Sequence, residues 1–207
     1  MTRSHVPPAH LHWLTPVYDI LCSAMGLGRD FRKDIVRRLG LTGRERLLDA
    51  GCGTAALLES LLEAHPGLDA AGADPDAMAL AIASEKLDRK GPRPRLELAP
   101  MDRLPFEEAW FDVVVSTLAL HHVPRRARES SLRECSRVLK PGGRLVVADL
   151  VVSGAGPARW LLNVLALLED METDEGLMAL LRSAGFRGAR SCGRWNSLVA
   201  FYEAVKG

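Results

Sequence analysis

Three groups of residues in this chain of 207 amino acids are equipped for chemistry. The first is Asp49-Ala50-Gly51-Cys52-Gly53-Thr54, an acid followed by a Gly-x-Gly turn. Glycine lets a ligand approach the backbone closely. Set between a strand and a helix, such a turn points free backbone N–H groups at a crevice. The second is Asp74, about 20 residues beyond the turn, the spacing at which an acid meets ribose hydroxyls in a nucleotide-binding βαβ unit. The third is the adjacent pair His121-His122, whose imidazoles titrate near neutral pH and suit general-base work. Gly51, Gly53 and Ala56 also satisfy the G-x-G-x-x-A form of dinucleotide sites, so the turn alone leaves the nucleotide open.

Strands and helices must position these groups. Arg46 to Asp49 reads as a short buried strand, and Ala55 to His65 as a helix. Leu68 to Asp74 is a second strand, with Asp74 at the carboxyl end, where open α/β sheets bind ligands. Pro75 stops it, and Asp76 suits the first turn of a helix reaching Arg89. Gly91 to Pro94 is a loop, and Arg95 to Ala99 a third strand. A fourth strand starts at Phe111; its Val113 to Val115 run is apolar throughout, as expected of a parallel strand covered on both faces. It exits through Thr117 to the histidines. Neighbours in an extended strand face opposite ways, so one histidine, His121 by preference, would face a ligand.

Pro124 to Leu139 reads as a helix with Leu132, Cys135, Val138 and Leu139 inward. Its Arg125, Arg126, Arg128, Arg133 and Arg137 read as a solvated face. A Pro-Gly-Gly turn leads into a fifth strand ending at Asp149. Upstream, Phe31, Ile35 and Leu39 recur at spacing four and make Asp30 to Leu39 a helix. Downstream come an apolar helix from Ala158 to Leu168, a helix from Thr173 through Leu181, and a last strand from Trp195 to Ala204. This alternation predicts an α/β fold, a mostly parallel sheet with helices on both faces.

The wording of several segments is more specific than the pattern. Asp49 to Thr54 resembles the D-x-G-C-G-T signature of class I S-adenosylmethionine (SAM)-dependent methyltransferases, and the chain as a whole resembles their ubiquinone/menaquinone-biosynthesis type (methyltransferase type 11). Leu104-Pro105-Phe106 resembles the end of that family's adenine-contacting loop. Phe111 to His122 resembles its F-D-x-V-x-S-x-x-x-L-H-H strand. Leu139 to Val147 resembles its L-K-P-G-G-x-L-V-V segment, and Tyr18-Asp19 resembles an N-terminal segment that packs over the cofactor. Pro100 stands where the family's loop acid falls, with Asp102 two residues later. Ala55 stands where the family often has a third glycine.

The resemblance implies a Rossmann-like sheet of seven strands with the last antiparallel. It implies a methyltransferase that takes S-adenosyl-L-methionine and releases S-adenosyl-L-homocysteine. The cofactor contacts it implies are Asp49, Gly51, Cys52, Gly53, Asp74, Pro75, Met101, Asp102, Thr117 and Tyr18, and the candidate catalytic residues are His121 and His122. Residues 1–28 would form an arm capping the cofactor site and residues 29–207 the SAM-binding domain. The expected acceptor is a small molecule, with quinone-, polyketide- and lipid-like compounds as candidates. An NAD(P)-dependent oxidoreductase and a non-catalytic SAM-binding relative are the alternatives.

The net charge of +1 argues against nucleic acid as a partner. No apolar run reaches the roughly 20 residues that span a bilayer, and the first residues lack a signal-peptide core. A cytoplasmic protein without stable membrane insertion is expected. A homodimer through the Trp160 helix is a further expectation. The four cysteines form no C-x-x-C pair and read as reduced, mostly buried thiols, with no metal site; a three-thiol site for a metalloid acceptor is the alternative.

Overall fold

The computed structural model describes residues 26–88, 94–152, 171–196 and 199–207. Tyr18, the Gly91 loop and the apolar stretch around Trp160 lie outside the described residues. Helix α1 (Arg29–Leu39) buries Phe31, Ile35 and Leu39 on one stripe and ends at Gly40, whose φ of 52° gives the left-handed turn. It leads into β1 (Arg46–Ala50), α2 (Ala56–Ala64), β2 (Asp69–Asp74), α3 (Ala77–Asp88) and β3 (Arg95–Leu98). Next come β4 (Phe111–Thr117), a one-turn 3₁₀ helix (Leu120–His122), α4 (Arg125–Val138) and β5 (Leu139–Val152). After 170 lie β6 (Glu172–Thr173), α5 (Asp174–Ser183), β7 (Phe186–Trp195) and β8 (Val199–Lys206).

The sheet runs β3-β2-β1-β4-β5-β8-β7, with the two-residue β6 pairing with β5 off this path. Strands β1 to β5 pair in parallel, and β8 runs antiparallel to both β5 and β7. The expected mostly parallel Rossmann-like sheet with a reversed last strand is present. Strand order reverses between β1 and β4, so the crevice for a ligand opens beyond the carboxyl ends of those strands.

Two apolar clusters cover the two faces, divided by the two-residue period of the strands. Leu47, Ala70, Val113, Val115 and Val146 pack with Phe31 and Ile35 of α1, Leu58 and Leu61 of α2, and Ala83 and Leu87 of α3. Leu48, Ala71, Val114, Leu145 and Val147 pack with Leu132 and Val138 of α4 and with Leu177 and Leu181 of α5. Cys52 belongs to the first cluster and Cys135 to the second.

Three local expectations are corrected. The Pro-Gly-Gly segment is part of β5 as a bulge: Phe111 pairs with Leu139, then Val113 with Arg144. Gly143 is required there, because a Cβ would sit 2.9 Å from the Lys140 carbonyl oxygen and 3.0 Å from that of Asp112. Strand β7 is an addition. It lies at the sheet edge, is interrupted by two register shifts and leaves most of its side chains in solvent, so it lacks the alternation that marks a half-buried strand. Trp195 closes β7 rather than opening β8. Finally, the arginines of α4 do not form one solvated face. Arg128 is fully buried, and Arg137 is turned onto the loop before β4.

Candidate functional site

The glycine turn leaves β1 at its carboxyl end. Gly51 has φ +83° and Gly53 φ +52°, values that side-chain-bearing residues rarely adopt. Gly51 also lacks room, since a Cβ there would lie 2.4 Å from Ala119 Cβ and 3.5 Å from Met101 Cε. The turn is thereby in contact with the exit of β4 and with the loop after β3. Ala55 holds φ 57° as the residue before α2, a left-handed conformation costing about 1–2 kcal/mol in a non-glycine residue. It is fully buried.

Asp74 ties the turn to β2. Its Oδ2 accepts the amide hydrogen of Gly53 at 2.8 Å and its Oδ1 that of Asp76 at 2.9 Å. These bonds hold the Asp74 carboxylate at the carboxyl end of β2, where open α/β sheets bind ligands. Asp76 in turn caps α3, accepting the Met78 amide hydrogen at 2.9 Å. Pro75 lies half-buried between them. Cys52 packs over Gly72, where a Cβ would be 2.8 Å from its Sγ. Burial, reinforced by the neighbouring Asp49 and Asp74 carboxyls, raises its thiol well above the ordinary range, and its side chain belongs to the apolar cluster beside α1 and α2.

Asp49 sits inside this frame at 2% exposure. Its Oδ1 has no hydrogen-bond partner among the described residues. Burial, and secondarily the Asp74 charge, push its carboxyl up to about 8. A buried acid in that state is poised for a cation: an approaching ammonium would pair with it and ionise it.

Met101 is buried against Gly51, and the half-buried Asp102 follows it at the loop's surface. Helix α4 grips the next residues of this loop. Glu134 Oε2 accepts the Leu104 amide hydrogen at 3.1 Å, while Arg137 donates to the carbonyls of Leu104 and Phe106, both at 2.9 Å.

Thr117 ends β4 with its Oγ1 buried and unbonded among the described residues. Leu118 follows at φ +52°, and the chain then coils into the 3₁₀ turn. That coil changes the geometry expected of the histidines. Because the backbone is not extended, the two rings lie together, with centroids 4.0 Å apart. His121 is turned inward. Its Nδ1 lies 2.5 Å from Asp149 Oδ1, and its backbone N–H donates to Asp149 Oδ2 at 3.1 Å. Burial opposes ionisation of Asp149, but His121, the Leu150 N–H and His122 together hold its carboxyl below the usual range. Asp149 thus fixes the ring of His121 and favours a proton on Nδ1, which would leave Nε2 as the basic nitrogen. A small cavity beside this pair is lined by Leu120, His121, Asp149, Leu150, Glu172 and Leu177.

Asp149, Arg128 and Glu172 are not among the site residues expected from the sequence, in which Asp149 reads only as the end of a strand and Arg128 as part of a solvated face. One signal pointed to Asp149: it is an acid near the carboxyl end of an apolar parallel strand, as Asp49 and Asp74 are. Glu172 and Arg128 carry no such signal. Among the described residues, no cluster of three or more His, Cys, Asp or Glu side chains has a metal-holding arrangement.

Residues 47–143 match a family described as methyltransferase domain. The chain is 36% identical over 138 residues to the demethylmenaquinone methyltransferase of Thermus thermophilus, covering 66% of this chain and 62% of that protein. It is 35% identical over 138 residues to a ubiquinone/menaquinone biosynthesis C-methyltransferase of Syntrophotalea carbinolica, covering 66% and 57%. The chain therefore spans about three-fifths of the length of these two relatives. Among solved structures, phosphoethanolamine N-methyltransferase 2 of Haemonchus contortus in complex with S-adenosyl-L-methionine superposes with a TM-score of 0.74 at 17% identity. It covers 87% of this chain and 53% of that one, and shows the fold.

Proposed function

We propose that the chain, whose residues 47–143 match a methyltransferase domain family, is a class I SAM-dependent methyltransferase of the ubiquinone/menaquinone-biosynthesis type that moves a methyl group from S-adenosyl-L-methionine to a small-molecule acceptor. The observation that carries this is a buried Asp49 Oδ1, unbonded among the described residues, beside a glycine turn whose Gly53 has open space around it. An amino-acid ammonium fits the first, and a ligand lying close against the turn fits the second. The residues present fit the cofactor.

The cofactor supplies an activated sulfonium methyl group, so the protein's task is to position, orient and exclude water. Asp49 would pair with the ammonium. Gly51, Cys52 and Gly53 would line the amino-acid and sugar edge, and Asp74, beside Pro75, would accept from the ribose hydroxyls. Met101 and Asp102 would border adenine, and Thr117 Oγ1 would meet the donor from β4. Tyr18 would close the site from the N-terminal arm. His121, held by Asp149, would take the acceptor's proton, with His122 as its stacked neighbour. The acceptor is proposed to be lipophilic and quinone-like, as the names of the curated relatives suggest. Action in the cytoplasm and a homodimeric state belong to the same proposal; sedimentation velocity tests the latter. Among the described residues, no helix is long and apolar enough to cross a membrane.

The test is calorimetric titration with S-adenosylhomocysteine, with NADH in parallel and Asp74→Ala as control. Selective binding of the nucleoside, lost in Asp74→Ala, is expected. Preference for NADH, or no nucleoside binding, would overturn the proposal.

A further inference from the structure

Arg128 is the largest fully buried side chain among the described residues, and its guanidinium joins two carbonyls of the histidine turn to a carboxylate of β6. Its Nε donates to the Val123 carbonyl at 2.9 Å and its Nη2 to the His121 carbonyl at 3.1 Å, while Nη1 meets Glu172 Oε1 at 2.6 Å. Glu172 lies on β6, where it pairs in register with Val151 of β5. Two residues before Val151 on the same strand is Asp149, which holds the His121 ring. The contacts close a circuit: β5 through Asp149 to His121, from its carbonyl to Arg128, and through Glu172 back to β5.

We infer that Arg128 is a positioning residue that fixes the His121 turn and thereby holds the His121 ring on Asp149. Burying a guanidinium is costly unless it is paired and hydrogen-bonded. Here the planar fork meets two carbonyls of one turn and a carboxylate from another element, a set that the compact ammonium of lysine cannot span. The turn has one residue of strained backbone at its entrance, Leu118 at φ +52°, and such strain persists only where the surroundings over-determine it. Ala119, between the two, packs on Gly51. The fixed turn therefore also bears on the glycine turn. The significance for catalysis rests on the proposed role of His121; the positioning itself does not.

The test is proton NMR of the whole chain labelled with ¹⁵N at histidine. The Nδ1–H proton of His121, buried against a carboxylate, should give a downfield, slowly exchanging resonance, assigned by its loss in His121→Asn. In Arg128→Lys, which keeps the charge, this resonance is expected to disappear by exchange. In Glu172→Ala, which removes only the anchor, it is expected to broaden. Retention of the wild-type resonance in both variants would overturn the inference. If Arg128→Lys does not fold, Glu172→Ala decides alone. Titration of the wild type with S-adenosylhomocysteine is run alongside. Its failure would count against the methyl-transfer reading while leaving the resonance test intact.

Discussion

Asp74, at the end of β2, accepts the amide hydrogen of Gly53 at 2.8 Å across the turn that leaves β1. One carboxylate thus sets the shape of the glycine turn and, in the proposed function, borders the ribose. Bonds to a charged group contribute about 1.5–3 kcal/mol, so Asp74→Ala should lower thermal stability as well as nucleoside affinity. Asp74→Asn keeps an acceptor for Gly53 but sets an NH2 group against the Asp76 N–H, so it should restore part of the stability and little of the affinity. Thermal unfolding and calorimetry on the two variants separate the roles.

Gly51 and Ala119 are in steric register. Gly51→Ala would place a methyl group 2.4 Å from Ala119 Cβ at φ +83°, and overpacking of this kind costs about 1–3 kcal/mol. Ala119→Gly in the same chain removes the overlap but not the backbone strain. The double variant should therefore recover part of the stability lost by Gly51→Ala, as measured by denaturant unfolding. Full additivity of the two changes would show that the turns do not touch.

Asp49 makes ligand binding depend on pH. Its carboxyl is raised to about 8 by burial and then by Asp74, so in the unliganded protein it carries a proton at neutral pH. A ligand that needs it ionised should bind about tenfold more tightly per pH unit as pH rises toward that value. Stability runs the other way. A raised folded-state value means that the native state holds a proton which the unfolded chain has lost. This contribution is fully present below about 4, the unfolded value, and is lost as pH rises through about 8. Asp49→Asn should flatten both dependences, read by calorimetry and by melting temperature against pH.

Asp149 has the opposite sign. Its folded-state value is depressed against the opposition of burial, chiefly by His121. The stability it contributes is present above the ordinary carboxylate range and is lost as pH falls through and below that range. Asp149→Asn should reduce the steepness of acid unfolding and release the His121 ring, visible in the same histidine spectra.

Arg137 and Glu134 supply the backbone of the Leu104–Phe106 segment with partners from α4. Arg137→Met leaves two carbonyls without them. An unmade hydrogen bond at a buried group costs about 1–3 kcal/mol, so a lower melting temperature is expected, together with weaker binding of S-adenosylhomocysteine. Arg137→Lys should recover only part of each. Unchanged affinity in Arg137→Met would show that the loop does not bear on the nucleoside.

Most of the frame was legible because local signals agreed with the fold. The stripe Phe31, Ile35 and Leu39, the apolar run Val113 to Val115 and the glycine turn each specify an element from a few neighbouring residues. Asp74 and Asp49 were legible for the same reason: each is an acid at the end of an apolar strand, beside glycine or proline. The histidine geometry was not legible, because neighbours face opposite ways only where the exit from β4 stays extended. The chain instead coils after Leu118, and the two rings come together.

By itself the sequence determined the order of strands and helices from α1 to β5, the glycine turn and the acids that flank it. These follow from short-range rules: periodicity, turn chemistry and the punctuation of proline and glycine. Tertiary structure alone decided that Arg128 is buried, that Arg137 grips a loop about 30 residues away, and that His121 is turned onto Asp149. An arginine on a helix looks the same in sequence whether solvent or a carbonyl turn faces it. The difference lies in which acceptors the packed sheet brings within reach, and two of these, Glu172 of β6 for Arg128 and the loop before β4 for Arg137, are far from the arginines in the chain.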